Sequence, residues 1–171
     1  MCPKLTTPGN VTVRALFTQI LSGPPRLTVN CVPRQYCDVT TPFDDPQGEL
    51  AWMFLQSTSE GGDLDEGFAL LSEDFTYWTL FTRASCDKKT FRRAIERRKR
   101  ELELTIDLVR CVNEGDTVVV EAQASGTTTG GAAYDSPFVC IFDTREGLIV
   151  SMRLYSDTRA HEAALPGWTP Y

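Results

Sequence analysis

The 171-residue sequence lacks the features that mark several classes of protein. It has no apolar run near the roughly 18 residues that a membrane-spanning helix needs, so we expect no membrane partner. Its net charge of -6 argues against a nucleic-acid partner, because phosphate binding needs an excess of Lys and Arg. It has 6 cysteines but no CxxC pair, and no cysteine lies near its 1 histidine, His161, so a zinc site lacks its usual spacing. We expect a reduced, cytoplasmic protein.

Acidic residues are absent from the beginning of the chain, where basic residues and prolines are frequent. The composition changes near "DVTTPFDDPQGEL", and we therefore predict a basic, Pro-rich N-terminal extension at 1–47, a domain at 48–165 and a C-terminal tail at 166–171. The extension could be a transit peptide or a partly ordered segment. The spacing of Cys31 and Cys37 permits a disulfide without requiring one.

Helix patterns precede strand patterns in the predicted domain. "GELAWMFLQSTSEGG" has apolar residues at helical spacing before a Gly-Gly stop, and "DLDEGFALLSEDF" predicts a second short helix with Asp63 as its N-cap. "FTYWTLFTR" is rich in aromatic and Thr residues, which predicts a strand. Four strand-like segments with tight turns come later, and "TRAHEAAL" predicts a terminal helix. This order indicates the α+β class, with helices packed on one face of an antiparallel meander.

A strongly basic segment, "DKKTFRRAIERRKRELEL", predicts a third helix. Phe91, Ala94, Ile95 and Leu102 recur at helical spacing, and 8 of the 13 residues from Lys88 to Arg100 are basic. The basic side chains could form a docking surface for an acidic partner. The alternative, a solvated helix face, is favoured because the acidic remainder of the chain supplies its own counter-charge.

The last strand, within "GLIVSMRLYSDTRAHEAAL", places Arg153, Tyr155 and Asp157 on one face. Asp157 also comes directly before the terminal helix, so its carboxylate could either cap that helix or face a pocket. Arg153 could orient a substrate oxyanion or pair with Asp157 as part of the structure.

The order of elements, together with three stretches, resembles the SnoaL-like polyketide cyclase group of the nuclear transport factor 2-like superfamily. The stretches are "GDLDEGFALLSEDFTYW", "VNEGDTVVVEAQASGTTTGGAAYDSPFVCIFD" and "GLIVSMRLYSDT", and the resemblance covers about residues 50–165. It implies a cone-shaped roll, in which N-terminal helices pack on a strongly curved antiparallel sheet around an apolar pocket, and it implies a homodimer. The superfamily includes cyclases, ketosteroid isomerases, epoxide hydrolases, dehydratases and non-enzymatic binders, so the fold alone does not give the activity.

The residues that the resemblance implies for epoxide hydrolysis and for ketosteroid isomerisation are absent from this sequence. The limonene epoxide hydrolase relatives carry an Arg-x-Asp pair on the middle strand, where this sequence has Ala122 and Ala124. Ketosteroid isomerases use an acid on the first strand, and "FTYWTLFT" contains none. A SnoaL-type cyclase needs little more than an apolar pocket with one carboxylate base, and that requirement is still met.

The resemblance thus implies a pocket for a small apolar carbonyl compound such as a polyketide, terpenoid or steroid-like ring, with no metal or organic cofactor. Asp157 would be the base, because loss of hydration raises the pKa of a carboxylate, and Tyr77 and Tyr155 would stabilise the oxyanion during cyclisation or isomerisation. His161 is expected on the helix surface and is a minor candidate base. A non-catalytic ligand-binding or dimeric interaction module is the alternative. The predicted pocket lining comprises Trp78, Thr79, Phe81, Tyr134, Phe138, Phe142 and Arg153.

Overall fold

The computed structural model describes residues 45–167. The predictions of a transit peptide and of a disulfide between Cys31 and Cys37 lie outside these residues. Within them, none of the helices is long and apolar enough to cross a membrane. The helices are α1 (Pro46–Ser57), α2 (Leu64–Ala69), α3 (Lys88–Glu101) and α4 (Thr158–Ala164), and the strands are β1 (Leu71–Thr79), β2 (Ala84–Asp87), β3 (Leu102–Glu114), β4 (Thr117–Thr128), β5 (Ala133–Arg145) and β6 (Leu148–Ser156).

Each described helix begins at an aspartate N-cap, namely Asp45, Asp63, Asp87 or Asp157. The capping carboxylate accepts hydrogen bonds from free backbone N–H groups of the first turn; for example, Gly48 N lies 2.8 Å from Asp45 Oδ2. Such a cap stabilises a helix by about 1 kcal/mol. The predicted cap at Asp63 is confirmed, and these aspartates fix where each helix starts.

The strands form one 6-stranded sheet in the order β2-β1-β6-β5-β4-β3. The α+β class, with helices on a curved and unclosed sheet, is confirmed, but the sheet is not wholly antiparallel because β1 and β6 pair in parallel. The chain leaves β1, reaches the far edge through β2 and α3, and returns as the four-stranded meander β3–β6. The last strand of that meander therefore arrives beside β1 in the same direction.

Several predicted boundaries move in the structure. The first helix ends at Ser57, before the predicted Gly-Gly stop, and the third ends at Glu101, so that Leu102 begins β3. The second helix ends at Ala69 rather than continuing to Phe75, because β1 already begins at Leu71 and pairs with β6. The strand predicted from "FTYWTLFTR" ends at Thr79, and after a turn in which Arg83 has a φ of 54° the chain forms the short strand β2. The sequence did not predict β2.

Aromatic packing joins the helices to the inner face of the sheet. The ring centroid of Phe54 on α1 lies 6.0 Å from Phe68, 6.1 Å from Phe91 and 6.3 Å from Phe142. Lys99 on α3 donates from Nζ to backbone carbonyls just after α1, including that of Ser59 at 2.7 Å. These contacts hold α1 and α3 over the sheet, and a cavity remains between the two layers.

Candidate ligand site

A cavity of about 130 Å³ lies between the helices and the inner face of the sheet. Its wall is mostly apolar, as expected for a site that takes a small organic molecule. None of the described residues that line it is an Asp or Glu. Within residues 45–167, no group of three or more His, Cys, Asp and Glu side chains could hold a metal ion. The polar residues in the lining are Thr58, Tyr77, Thr79, Arg98, Tyr134, Ser156 and His161.

Arg98 brings a buried positive charge to this cavity. Its residue is only 8% exposed, and its Nη2 donates to the backbone carbonyl of Thr58. Its Nη1 is buried and has no hydrogen-bond partner. Burial lowers the pKa of Arg98 to about 10, so the guanidinium is still charged at neutral pH. No carboxylate in the described part of the chain forms an ion pair with it.

Two tyrosine side chains line the cavity close enough to Arg98 to interact with its charge. Tyr77 lies on the inner face of β1, where its ring stacks on Phe91 with centroids 4.1 Å apart. Tyr134 lies near the start of β5, and burial raises its phenol pKa despite opposing effects of a hydrogen bond with Ser136 and of the Arg98 charge. Tyr134 is thus a neutral hydrogen-bond donor at neutral pH.

His161 also lines the cavity, which corrects the prediction of a surface position. Its ring centroid lies 5.1 Å from that of Phe81 and 6.4 Å from that of Tyr134. The pKa of His161 is lowered from 6.5, mainly by burial and to a smaller extent by the positive charge of Arg98. The imidazole is therefore neutral at pH 7. A sequence signal was present, because His161 lies one helical turn before the buried Leu165 and so shares its face.

The structure places five of the residues predicted for the site in the lining of this one cavity. Phe142 is fully buried but contacts Phe54 in the core and does not line the cavity. The five residues that do line it are Tyr77, Thr79, Phe81, Tyr134 and Phe138.

Asp157 does not line the cavity. It is exposed, and its Oδ1 accepts hydrogen bonds from Arg159 N at 2.9 Å and Ala160 N at 3.2 Å. The sequence left open whether Asp157 caps the terminal helix or faces a pocket, and in the structure it caps the helix. The carboxylate is therefore exposed to solvent and is not enclosed by the cavity.

The rest of the predicted polar face points away from the cavity. Side chains alternate along β6, and Met152 lies on the cavity side, so Arg153 and Tyr155 are exposed on the opposite side. There Tyr155 packs on Trp78, with ring centroids 5.2 Å apart, and Arg153 Nη2 lies 3.4 Å from Asp143 Oδ2. The expected pairing of Arg153 with Asp157 is wrong, and Trp78, Tyr155 and Arg153 do not line the cavity.

Arg98 is the residue that the sequence interpretation missed. It was included in a basic segment interpreted as a solvated face or a docking surface. However, Phe91, Ala94, Ile95 and Arg98 have the spacing i, i+3, i+4 and i+7, which puts the arginine on the apolar face of α3. A charged residue on an apolar face was the signal that could have identified it.

The chain belongs to the SnoaL-like family, because the family model described as "SnoaL-like domain" matches residues 53–152. The match begins within α1 and ends in β6, and so includes most of the elements that surround the cavity. A search of curated proteins finds no match to this chain.

Solved structures share the fold at low sequence identity. A hypothetical protein with a ketosteroid isomerase-like fold from Catenulispora acidiphila, in complex with trimethylamine, matches with a TM-score of 0.62 and 21% identity over 71% of this chain and 98% of its own. PrhC from Penicillium brasilianum matches with a TM-score of 0.59 and 14% identity over 70% of this chain and 87% of its own. An NTF2-like protein from Burkholderia xenovorans has a TM-score of 0.59 and 18% identity, over 70% and 95% of the two chains. At these identities the likeness shows the fold alone.

Proposed function

We propose that this protein binds a small apolar carbonyl compound in the cavity and removes a proton from the carbon next to the carbonyl. Cyclisation or isomerisation would follow without a cofactor. The observation that carries the proposal is the presence of a neutral imidazole, His161, in the same mostly apolar cavity as the phenols of Tyr77 and Tyr134. Proteins that share the SnoaL-like fold include putative polyketide cyclases and a putative isomerase, which supports the same class of chemistry.

The base in this proposal is His161 and no longer Asp157. A general base needs a pKa near the working pH and must lie within reach of the substrate proton. His161 lines the cavity and is neutral at pH 7, whereas Asp157 is exposed and caps α4. An imidazole nitrogen of His161 accepts the substrate proton, and the electron pair of the broken C–H bond forms an enolate.

The enolate oxygen requires hydrogen-bond donors in a medium of low polarity, where such bonds are worth more than in water. The hydroxyl groups of Tyr77 and Tyr134 are suited to this role because both side chains line the cavity. Return of the proton from His161 to a different carbon gives an isomer. Attack of the enolate carbon on a second carbonyl of the same molecule closes a ring, and the new alkoxide takes up the proton.

Deuterium uptake tests the proposal without knowledge of the final product. We would incubate a panel of small cyclic and aryl ketones with the protein in D2O and follow deuterium incorporation by mass spectrometry. A His161→Gln variant should lose about 100-fold or more of the protein-dependent exchange, since a positioned general base contributes about 10²–10⁴-fold. Glu162→Gln, at the neighbouring exposed position of α4, is the matched control and should retain it. Absence of protein-dependent exchange across the panel, or full exchange in His161→Gln, would refute the proposed catalysis.

The alternative is a non-catalytic ligand-binding module of the same fold. It is favoured by the absence of any Asp or Glu from the described lining of the cavity, where the middle strand contributes Ala124. A ketone that raises the melting temperature but takes up no deuterium in the presence of the protein would support this alternative.

A further inference from the structure

The cavity contains a positive charge with no negative charge beside it. Arg98 is 8% exposed, and one end of its guanidinium, Nη2, is held by the carbonyl of Thr58. The other end, Nη1, is buried without a hydrogen-bond partner. Charged groups are rarely buried in proteins unless they are paired, because the loss of hydration is costly. The guanidinium of Arg98 therefore has hydrogen-bonding capacity that the protein itself does not use.

The surrounding groups do not supply the missing negative charge. The charge of Arg98 interacts with the phenols of Tyr134 and Tyr77, with His161 and with Lys99, and none of these is an anion: Tyr134 and His161 are neutral at pH 7 and Lys99 is a cation. The adjacent cation, Lys99, is directed elsewhere, with its Nζ 2.7 Å from Ser59 O and 2.8 Å from Gly62 O. Arg98 thus brings one positive charge to a lining that, among the described residues, contains no acid.

We propose that the ligand of this cavity is a small apolar carboxylic acid whose carboxylate binds the guanidinium of Arg98. Tyr77 and Tyr134 line the same cavity and lie close enough to Arg98 to interact with its charge. The inference deepens the proposed function, on which it rests for the use of this cavity as the ligand site. It adds that the substrate carries an acid group as well as the carbonyl whose neighbouring proton is removed.

Charge balance favours a carboxylate over other anions. Its single negative charge matches the single charge of Arg98, and a guanidinium N–H···carboxylate contact is among the stronger hydrogen bonds in proteins. A phosphate monoester carries nearly two negative charges at pH 7 and would leave an uncompensated charge in an apolar cavity. An amino acid would bring an ammonium group, and the described lining offers no acid to pair with it.

The volume of the cavity limits the apolar part of the ligand. At about 130 Å³ it is close to the size of cavities of about 150 Å³ that hold benzene in other proteins. The apolar part of the ligand should therefore be a single ring or a short branched chain.

The test compares carboxylates with their uncharged amides, which have nearly the same shape. The probes are benzoate with benzamide, phenylacetate with phenylacetamide, and cyclohexanecarboxylate with its amide, each titrated into the full chain by calorimetry at pH 7. At least one carboxylate should bind about 10- to 100-fold more tightly than its amide, the range expected for a hydrogen bond to a charged group. Arg98→Met should remove the preference, and Arg100→Met, at an exposed position of the same helix, should retain it.

Two results would overturn the inference. One is that no carboxylate in the series binds the wild-type protein better than its amide, which includes the case in which nothing binds. The other is that the preference persists in Arg98→Met. If Arg98→Met fails to fold, Arg98→Lys replaces it in the test, because lysine keeps the charge but presents a different donor geometry. The inference then requires that the preference for the carboxylate over its amide is reduced but still present.

The outcome is separable from that of the proposed catalysis. Binding of carboxylates without any deuterium exchange would contradict the catalysis and leave this inference intact. Exchange in neutral ketones with no preference for carboxylates would contradict this inference and leave the catalysis intact.

Discussion

Replacement of Arg98 with methionine should make the ligand-free protein more stable. The guanidinium lies in an apolar cavity with Nη1 unpartnered, and the described residues place no carboxylate against it. Methionine has a similar length, carries no charge and adapts to irregular apolar space. Apolar replacement of a buried ionic group is often neutral or stabilising, because the cost of desolvation disappears.

The size of the effect follows from the pKa of Arg98. Burial lowers this pKa to about 10, well below that of a solvated guanidinium, and so disfavours the charged form by roughly 3 kcal/mol, at about 1.4 kcal/mol for each pKa unit. The variant also loses the hydrogen bond to the carbonyl of Thr58, and an unsatisfied buried acceptor costs about 1–3 kcal/mol. The two contributions leave a net gain of about 1 kcal/mol in the free energy of unfolding.

Urea denaturation of wild type and Arg98→Met, followed by circular dichroism at pH 7, measures this difference. Arg100→Met is the control and should change the free energy of unfolding by less than about 0.5 kcal/mol, because its position is exposed. A loss of about 2 kcal/mol or more in Arg98→Met would refute the reasoning. It would mean that the guanidinium is a structural group whose bond to Thr58 outweighs its burial.

Three further predictions concern the base, the helix cap and a close contact between two strands. Deuterium exchange should rise with pH through a midpoint below 6.5, because His161 acts as a base only when neutral and its pKa is lowered; a midpoint above 6.5 would contradict the assignment. Asp157→Ala should lower the free energy of unfolding by about 1 kcal/mol, because the helix cap is lost. Asp157→Ser, whose hydroxyl can also cap the helix, should keep both the stability and the deuterium exchange. Loss of exchange in the serine variant would mean that the carboxylate takes part in catalysis. Gly126→Ala should destabilise the protein in urea by about 1–3 kcal/mol, because a Cβ there would lie 1.9 Å from Glu103 O, and Gly115→Asn, in an open turn with a φ of 62°, should be nearly neutral.

The stability of the folded protein should also rise with pH, as the deuterium exchange does. His161 has a lower pKa in the folded protein than in the unfolded chain, so the unfolded chain binds more protons between the two values. The contribution of His161 to stability is therefore present above about pH 6.5 and falls as the pH drops below that value.

Local patterns were sufficient to predict much of the fold. Asp63 before an apolar helical stretch identified the start of α2, and the family motifs identified helices on one side of a curved sheet. Tyr77, Thr79 and Phe138, which were predicted for the pocket, line the cavity, whereas Trp78 lies between Tyr77 and Thr79 on β1 and faces the other side because side chains alternate along a strand.

Long-range pairing decided what local patterns could not. Alternation along β6 shows that Arg153 and Tyr155 share a face, but it does not say which face is covered. The structure answers through packing, since Met152 and Leu154 line the cavity and are paired in parallel with Tyr77 and Thr79 of β1. The polar face is then left on the outside of the sheet. Parallel pairing between the first and last strands depends on the whole chain path, so no short segment carries a signal for it.

The two basic side chains of this site, Arg98 and His161, come from helices, and that arrangement gives Asp157 an indirect role. The middle strand contributes Ala124, whereas Arg98 is carried by α3 and His161 by α4. Helix α4 starts at Asp157, whose carboxylate caps it and whose carbonyl accepts a hydrogen bond from His161 N at 3.2 Å. The carboxylate that the sequence suggested as the base therefore holds the helix that carries the imidazole. Asp157 is a positioning residue, and its substitution should affect catalysis only as far as it loosens α4.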